Sequence, residues 1–389
     1  MRMRKVTSAL VGLLLAGVAA TPAHAESIRS QQWHLDAMKA NDMWKVSTGK
    51  GVTVAVIDDG VKEIPELKGQ IVPGADLVSQ GGDGRSDNSG HGTGVAAMIA
   101  ATGNHPSGDG GFGLAPGAKV LPIRVANAEL ATPSWVAAIR FAAESDAKVI
   151  NISLGIDGTP ETDRARAEAV KYALSKGKLV FAAVGNSGDV GNEVEYPGAT
   201  PGVVGVGATD AKGKATAESQ HGPQVDLAAP GMDVVTACSG KTGLCKTHGT
   251  SDASALASAS AALIWSVHPE WTNNQVLRVL LNTAGKPVDG AERNDYIGYG
   301  IVRPRVALQT PGDPGPADVY PLPDLAAADP AKSPSAPADG KAPDAAASAS
   351  AAQVEEKKSG SALPWIGLGL AACVLIGGAV TVVVVRRNR

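Results

Sequence analysis

Short apolar runs alternating with helix-length segments are the strongest constraint on what this chain can fold into. Val52–Ile57 (VTVAVI), Lys119–Val125, Lys148–Leu154 (KVINISL), Leu179–Val184, Val203–Val206 and Val225–Ala228 each read as a strand. Several are continuously apolar rather than alternating, so both of their faces need covering. Between and after them lie helix patterns at Ser134–Ala143, Glu161–Ser175 and Gln275–Asn282. This alternation predicts an α/β domain with a mostly parallel central sheet between two helical layers, a three-layer α/β/α arrangement. The 47 glycines and an aromatic content of only 4% suit close contacts between backbones. A net charge of −3 points to neither nucleic acid nor an anionic surface as a partner.

Both ends read as targeting segments. Three basic residues within Met1–Lys5, an apolar run from Val6 to Ala20 and Ala23-His24-Ala25 predict a signal peptide over 1–25. Residues 26–50 form a polar, amphipathic extension in which Trp33, Leu35, Met38 and Trp44 make an apolar stripe suited to docking on the core. The domain is expected over 51–309. Residues 310–362 shift to Pro, Ala, Asp and Ser and predict a disordered linker. The apolar run Ile366–Val385 predicts a transmembrane helix within 363–385, and the basic tail 386–389 places the bulk of the chain outside the cytoplasm. Cys238 and Cys245 flank SGKTGL in that extracytoplasmic region, where a disulfide is favoured over two free thiols. Cys373 falls inside the membrane run. No metal-ligand spacing and no cofactor motif is found.

Three residues sit where open α/β folds place chemistry. Asp58 ends the first strand in IDDG, at the strand end where such sheets form their sites. His91 opens a small-residue helix in NSGHGTGVA, with Asn88 or Ser89 as its expected cap. Ser251 opens another in HGTSDASALASASAALIWS. A serine there presents its hydroxyl beside free helix amides, but it needs a base to become a nucleophile.

Taken together, these words resemble the subtilase family. VAVIDDG resembles its aspartate strand, HGTGVA its histidine motif, GTSDAS its serine motif, and AAVGNSG the segment that supplies an oxyanion-hole asparagine, here Asn186. The order Asp, His, Ser is that of subtilisin. The resemblance covers Val52–Leu308 and implies a subtilisin-like fold and serine endopeptidase activity through Asp58, His91 and Ser251. Ser153-Leu154-Gly155 resembles the edge that pairs with the substrate backbone. With the signal peptide, linker and tail anchor, the chain looks like the mycosins, membrane-anchored subtilases of actinobacterial type VII secretion. That implies protein or peptide substrates and partnership with a secretion membrane complex. The alternatives are a structural component of such a complex with a vestigial site, or a general surface protease. Three positions depart from the family pattern: Asp59 for Ser or Thr, Asp252 for Met or Phe, and Ala255 for Pro. The two extra carboxylates should favour protonated His91 and shift the pH optimum upward. His105, His221, His248 and His268 are read as structural.

Overall fold

The computed structural model describes residues 27–79, 81–126, 132–240 and 242–328. The expected signal peptide, the linker beyond 328, the membrane helix and the tail lie outside the described residues. Among the described residues no helix is long and apolar enough to cross a membrane.

The strands are β1 (Thr53–Asp58), β2 (Ala75–Asp76), β3 (Lys119–Arg124), β4 (Val149–Ile152), β5 (Ile156–Asp157), β6 (Leu179–Ala183), β7 (Glu195–Tyr196), β8 (Val204–Thr209), β9 (Leu227–Pro230), β10 (Val234–Ala237) and β11 (Leu244–Thr247). The α-helices are α1 (Ile28–Gln31), α2 (Trp33–Ala37), α3 (Ala40–Met43), α4 (His91–Ala100), α5 (Thr132–Glu144), α6 (Pro160–Ser175), α7 (Thr250–Val267), α8 (Asn273–Thr283), α9 (Pro304–Gln309) and α10 (Asp324–Ala328).

Seven strands form one sheet in the order β2-β3-β1-β4-β6-β8-β9. Every pairing in it is parallel. Successive residues of a strand face opposite sides of the sheet, so each strand feeds two cores. Val54, Val56, Leu179 and Phe181 pack with α4, α7 and α8. Ala55, Ile57, Val180 and Ala182 pack with α5 and α6. The continuous apolar runs follow from this double burial. The fold is the expected α/β arrangement with a mostly parallel central sheet.

From β1 the chain moves outward to β3, then returns to the other side of β1 for β4. The carboxyl ends of β1 and β4 therefore flank a topological switch point, the place where such sheets open a crevice.

Two expectations need correction. The extension before β1, expected to carry one apolar helical stripe, is three short helices, α1 and α2 parting at Gln32 and α3 set off by Lys39 in the left-handed region at φ 61°. It still docks on the core. Leu35 and Met43 are buried, while the Trp33 and Trp44 indoles donate to the carbonyls of Asp233 (3.0 Å) and Leu114 (2.9 Å). The chain also does not leave the core near Leu308, since residues 310–328 run along the surface of the domain. The Arg278 guanidinium donates to the carbonyls of Pro314, Pro316 and Val319. Leu322 is buried, and Asp324 accepts from the Gly202 amide at 2.6 Å. A proline-rich segment has few free amides of its own, and here its carbonyls are satisfied by a cation on α8.

Candidate active site

Asp58, the last residue of β1, is fully buried, and its Oδ1 lies 2.8 Å from His91 Nδ1. That contact fixes the ring orientation and leaves Nε2 as the free nitrogen. His91 reaches Asp58 because α4 starts hard against the end of β1. A Cβ on Gly92 would meet the Gly60 carbonyl oxygen at 2.1 Å and Asp58 Cβ at 3.0 Å, so only glycine permits the approach.

The start of α4 is held by carboxylates. Asp87 accepts from the amides of Gly90 (2.6 Å) and Thr93 (2.9 Å) and from the Thr93 hydroxyl. Asp59 accepts from the Gly92 amide (2.9 Å) and the Ser89 hydroxyl. Ser89 Oγ in turn accepts from the His91 amide at 3.0 Å, while Asn88 makes no such bond. Asp59 is thus a clamp on the helix that carries His91, stabilising the otherwise free first-turn amides.

Ser251 lies in the first turn of α7, behind a Gly249 cap at φ 125°. Its hydroxyl donates to the Ser153 carbonyl at 3.1 Å and not to His91. Asn186 follows β6. Its Oδ1 accepts from the Thr250 amide (2.8 Å) and hydroxyl (3.0 Å), which leaves Nδ2 as its free donor, 3.1 Å from where a Cβ on Gly249 would stand. Ser153, Leu154 and Gly155 occupy the stretch between β4 and β5 and belong to neither ladder. The structure therefore brings His91, Asp58, Ser251, Asn186 and Ser153 to one end of the sheet. His91 and Ser251 line a cleft of about 660 Å³. Its far wall is the antiparallel hairpin β10–β11, in which Cys238 and Cys245 form a disulfide with Cα atoms 5.8 Å apart.

The charges in the site are strongly perturbed. The Asp58 carboxylate raises His91 to about 9 against the opposing effect of burial, with Asp59 and Asp252 adding to the rise. Burial pushes Asp58 up to about 6, and its bond to His91 works in the other direction. Asp58, Asp59 and His91 also form a three-donor grouping of the kind that can bind a metal. Asp58 Oδ1, His91 Nδ1 and both Asp59 oxygens are engaged in hydrogen bonds to one another or to the start of α4 and its flanking loop, while Asp58 Oδ2 has no partner.

Several contributing residues were missed in the sequence. Asn151, buried on β4, donates to Ser153 Oγ (3.0 Å) and accepts from the hydroxyls of Ser254 (2.8 Å) and Ser258 (3.0 Å). Ser153 Oγ donates to the Ser251 carbonyl at 3.1 Å. One amide thus ties β4 to α7 directly behind Ser251. The available signal was the Ser254/Ser258 pair four residues apart on one helix face. Glu195 was also missed. Burial, with Asp157 opposite it, pushes it up to about 7, and a Cβ on Gly155 would lie 2.0 Å from its Oε2. His248, read as structural, lines the cleft and bonds Glu218 at 2.8 Å.

The sequence profile of the subtilase family, Peptidase_S8, matches residues 49–300. Mycosin-1 of Mycobacterium tuberculosis is 33% identical over 340 residues, covering 73% of this chain and 74% of that protein. A solved structure of the serine protease MycP1, described as an essential component of the type VII (ESX-1) secretion system, is similar at a TM-score of 0.62 and 31% identity. It covers 74% of this chain and 90% of its own. A chain in the periplasmic assembly from the ESX-5 inner membrane complex is similar at a TM-score of 0.64 and 30% identity, covering 81% and 90%.

Proposed function

The chain belongs to the subtilase family of serine endopeptidases, and on that premise we propose a mycosin-like, membrane-tethered protease acting outside the cytoplasm in association with type VII secretion. Ser251 attacks the peptide carbonyl, and His91 Nε2 takes its proton and returns it to the leaving amine. Asp58 orients His91 and stabilises its charged form. Asn186 Nδ2 and the Ser251 amide donate to the developing oxyanion. The tether is the expected helix within 363–385, with protein or peptide substrates reaching the site from the extracytoplasmic side. The kinship with a chain of an ESX-5 membrane assembly supports a secretion complex as partner.

The observation that carries this reading is the buried Asp58 bonded to His91 at 2.8 Å, with His91 and Ser251 sharing one cleft. In the reaction the Ser251 hydroxyl must leave the Ser153 carbonyl and turn to His91. Such bonds commonly tighten only once substrate is bound. A structural component with an idle site is the second reading, favoured by that same Ser251–Ser153 bond. The test is hydrolysis of denatured casein by the purified full chain. Cleavage abolished by Ser251→Ala supports the protease. Equal activity in the variant, or no cleavage by a folded wild type, favours the second reading.

A further inference from the structure

The cleft beside Ser251 carries an imbalance of charge. Its wall holds three groups able to be cationic, and each has its own carboxylate. His91 bonds Asp58, Lys246 pairs with Asp233 at 3.1 Å, and His248 pairs with Glu218 at 2.8 Å. The one carboxylate in the wall, Asp252, has no cation bonded to it among the described residues. It is only 5% exposed, and its Oδ2 is sealed from solvent without a hydrogen-bond partner. The Thr247 hydroxyl, His91 and His248 lie within its electrostatic reach, but neither histidine pairs with it and the Thr247 hydroxyl lacks full hydrogen-bond geometry to any partner. A buried carboxylate without a partner is costly to keep and calls for a compensating group.

The side of the cleft on which Asp252 lies decides what that group is. His91 must hand its proton to the leaving amine, so the residue that departs lies on the His91 side of Ser251. That side is the space bounded by His91, Gly94, Val95 and the β10–β11 hairpin, and Asp252 lines it one residue after the nucleophile. Its volume of about 660 Å³ accommodates a long side chain together with the backbone that bears it.

We propose that Asp252 is a specificity-determining residue that binds a lysine or arginine side chain at the substrate position immediately after the scissile bond. The inference rests on the triad reading above. An ammonium or guanidinium there approaches the carboxylate from the cleft, through the oxygen that is not sealed, and offsets a charge that no ion pair of its own balances. The competing role, in which Asp252 acts only through the field it exerts on His91, predicts no dependence on the substrate residue.

The test digests a peptide pool from a denatured proteome with the detergent-solubilised full chain and reads the residue after each new cut by mass spectrometry. Wild type, Asp252→Asn and Asp252→Glu are run in parallel, each checked for fluorophosphonate adduct on Ser251. The expected result is Lys and Arg enriched about tenfold after the cut in wild type, the factor one charge-assisted bond provides. The enrichment is lost in Asp252→Asn and partly kept in Asp252→Glu. No basic enrichment in wild type, or an enrichment that survives Asp252→Asn, overturns the proposal. A wild type that takes no adduct removes the protease reading itself, and the specificity proposal with it.

Discussion

His91 can act as a base only when neutral, and its partner Asp58 holds it protonated up to about pH 9. Below that value the neutral fraction falls tenfold per pH unit, so kcat/KM is expected to climb with pH and level off near 9. Asp59 adds to the rise, so Asp59→Asn, which can still accept from the Gly92 amide, should move the limb toward neutrality by a fraction of a unit. A profile already flat at pH 7 in wild type would contradict this. At this scale much of the site was legible. Asp58, His91, Ser251 and Asn186 are marked by local words of five to seven residues, because each needs small neighbours and a fixed backbone turn. Asn151 was not legible, since its partners Ser254 and Ser258 lie 103 and 107 residues away. Nothing in NISL alone announces that amide as a tie to a distant helix.

The elements that matter are the strand ends and the helix starts facing them. β4 and α7 are pinned together by Asn151, and the pin holds the turn that carries Ser251. Asn151→Ala leaves two fully buried hydroxyls without their acceptor, which is expected to cost about 2–4 kcal/mol of stability. Activity should fall further than stability explains, through kcat, because Ser153 would lose the donor that orients it. Chemical denaturation and steady-state kinetics on the same preparation check both, and a variant with wild-type stability and kcat would contradict the role. The sheet strands were readable because burial on both faces leaves an unbroken apolar run. The hairpin β10–β11 was not, because it stands outside the main sheet and β11 is only partly buried, so it leaves no apolar run.

For the whole molecule, the domain is larger than composition suggests. Residues 310–328 read as linker because Pro, Asp and Ala dominate, but Arg278, Gly202 and the pocket for Leu322 anchor them to the core. Composition reports what a segment cannot bury by itself, not what a neighbouring surface offers it. A chain ending at residue 309 should therefore melt about 5–10 °C below one ending at 328, given the lost apolar burial and several hydrogen bonds. Equal melting temperatures would return the segment to the linker.

The central claim is that Ser251 is a nucleophile activated by His91, and fluorophosphonate labelling of the purified full chain followed by peptide mass mapping tests it most directly. The account predicts a single adduct on Ser251 in wild type and none in His91→Ala. A folded wild type that takes no adduct, or a Ser251 that labels equally well without His91, would contradict it.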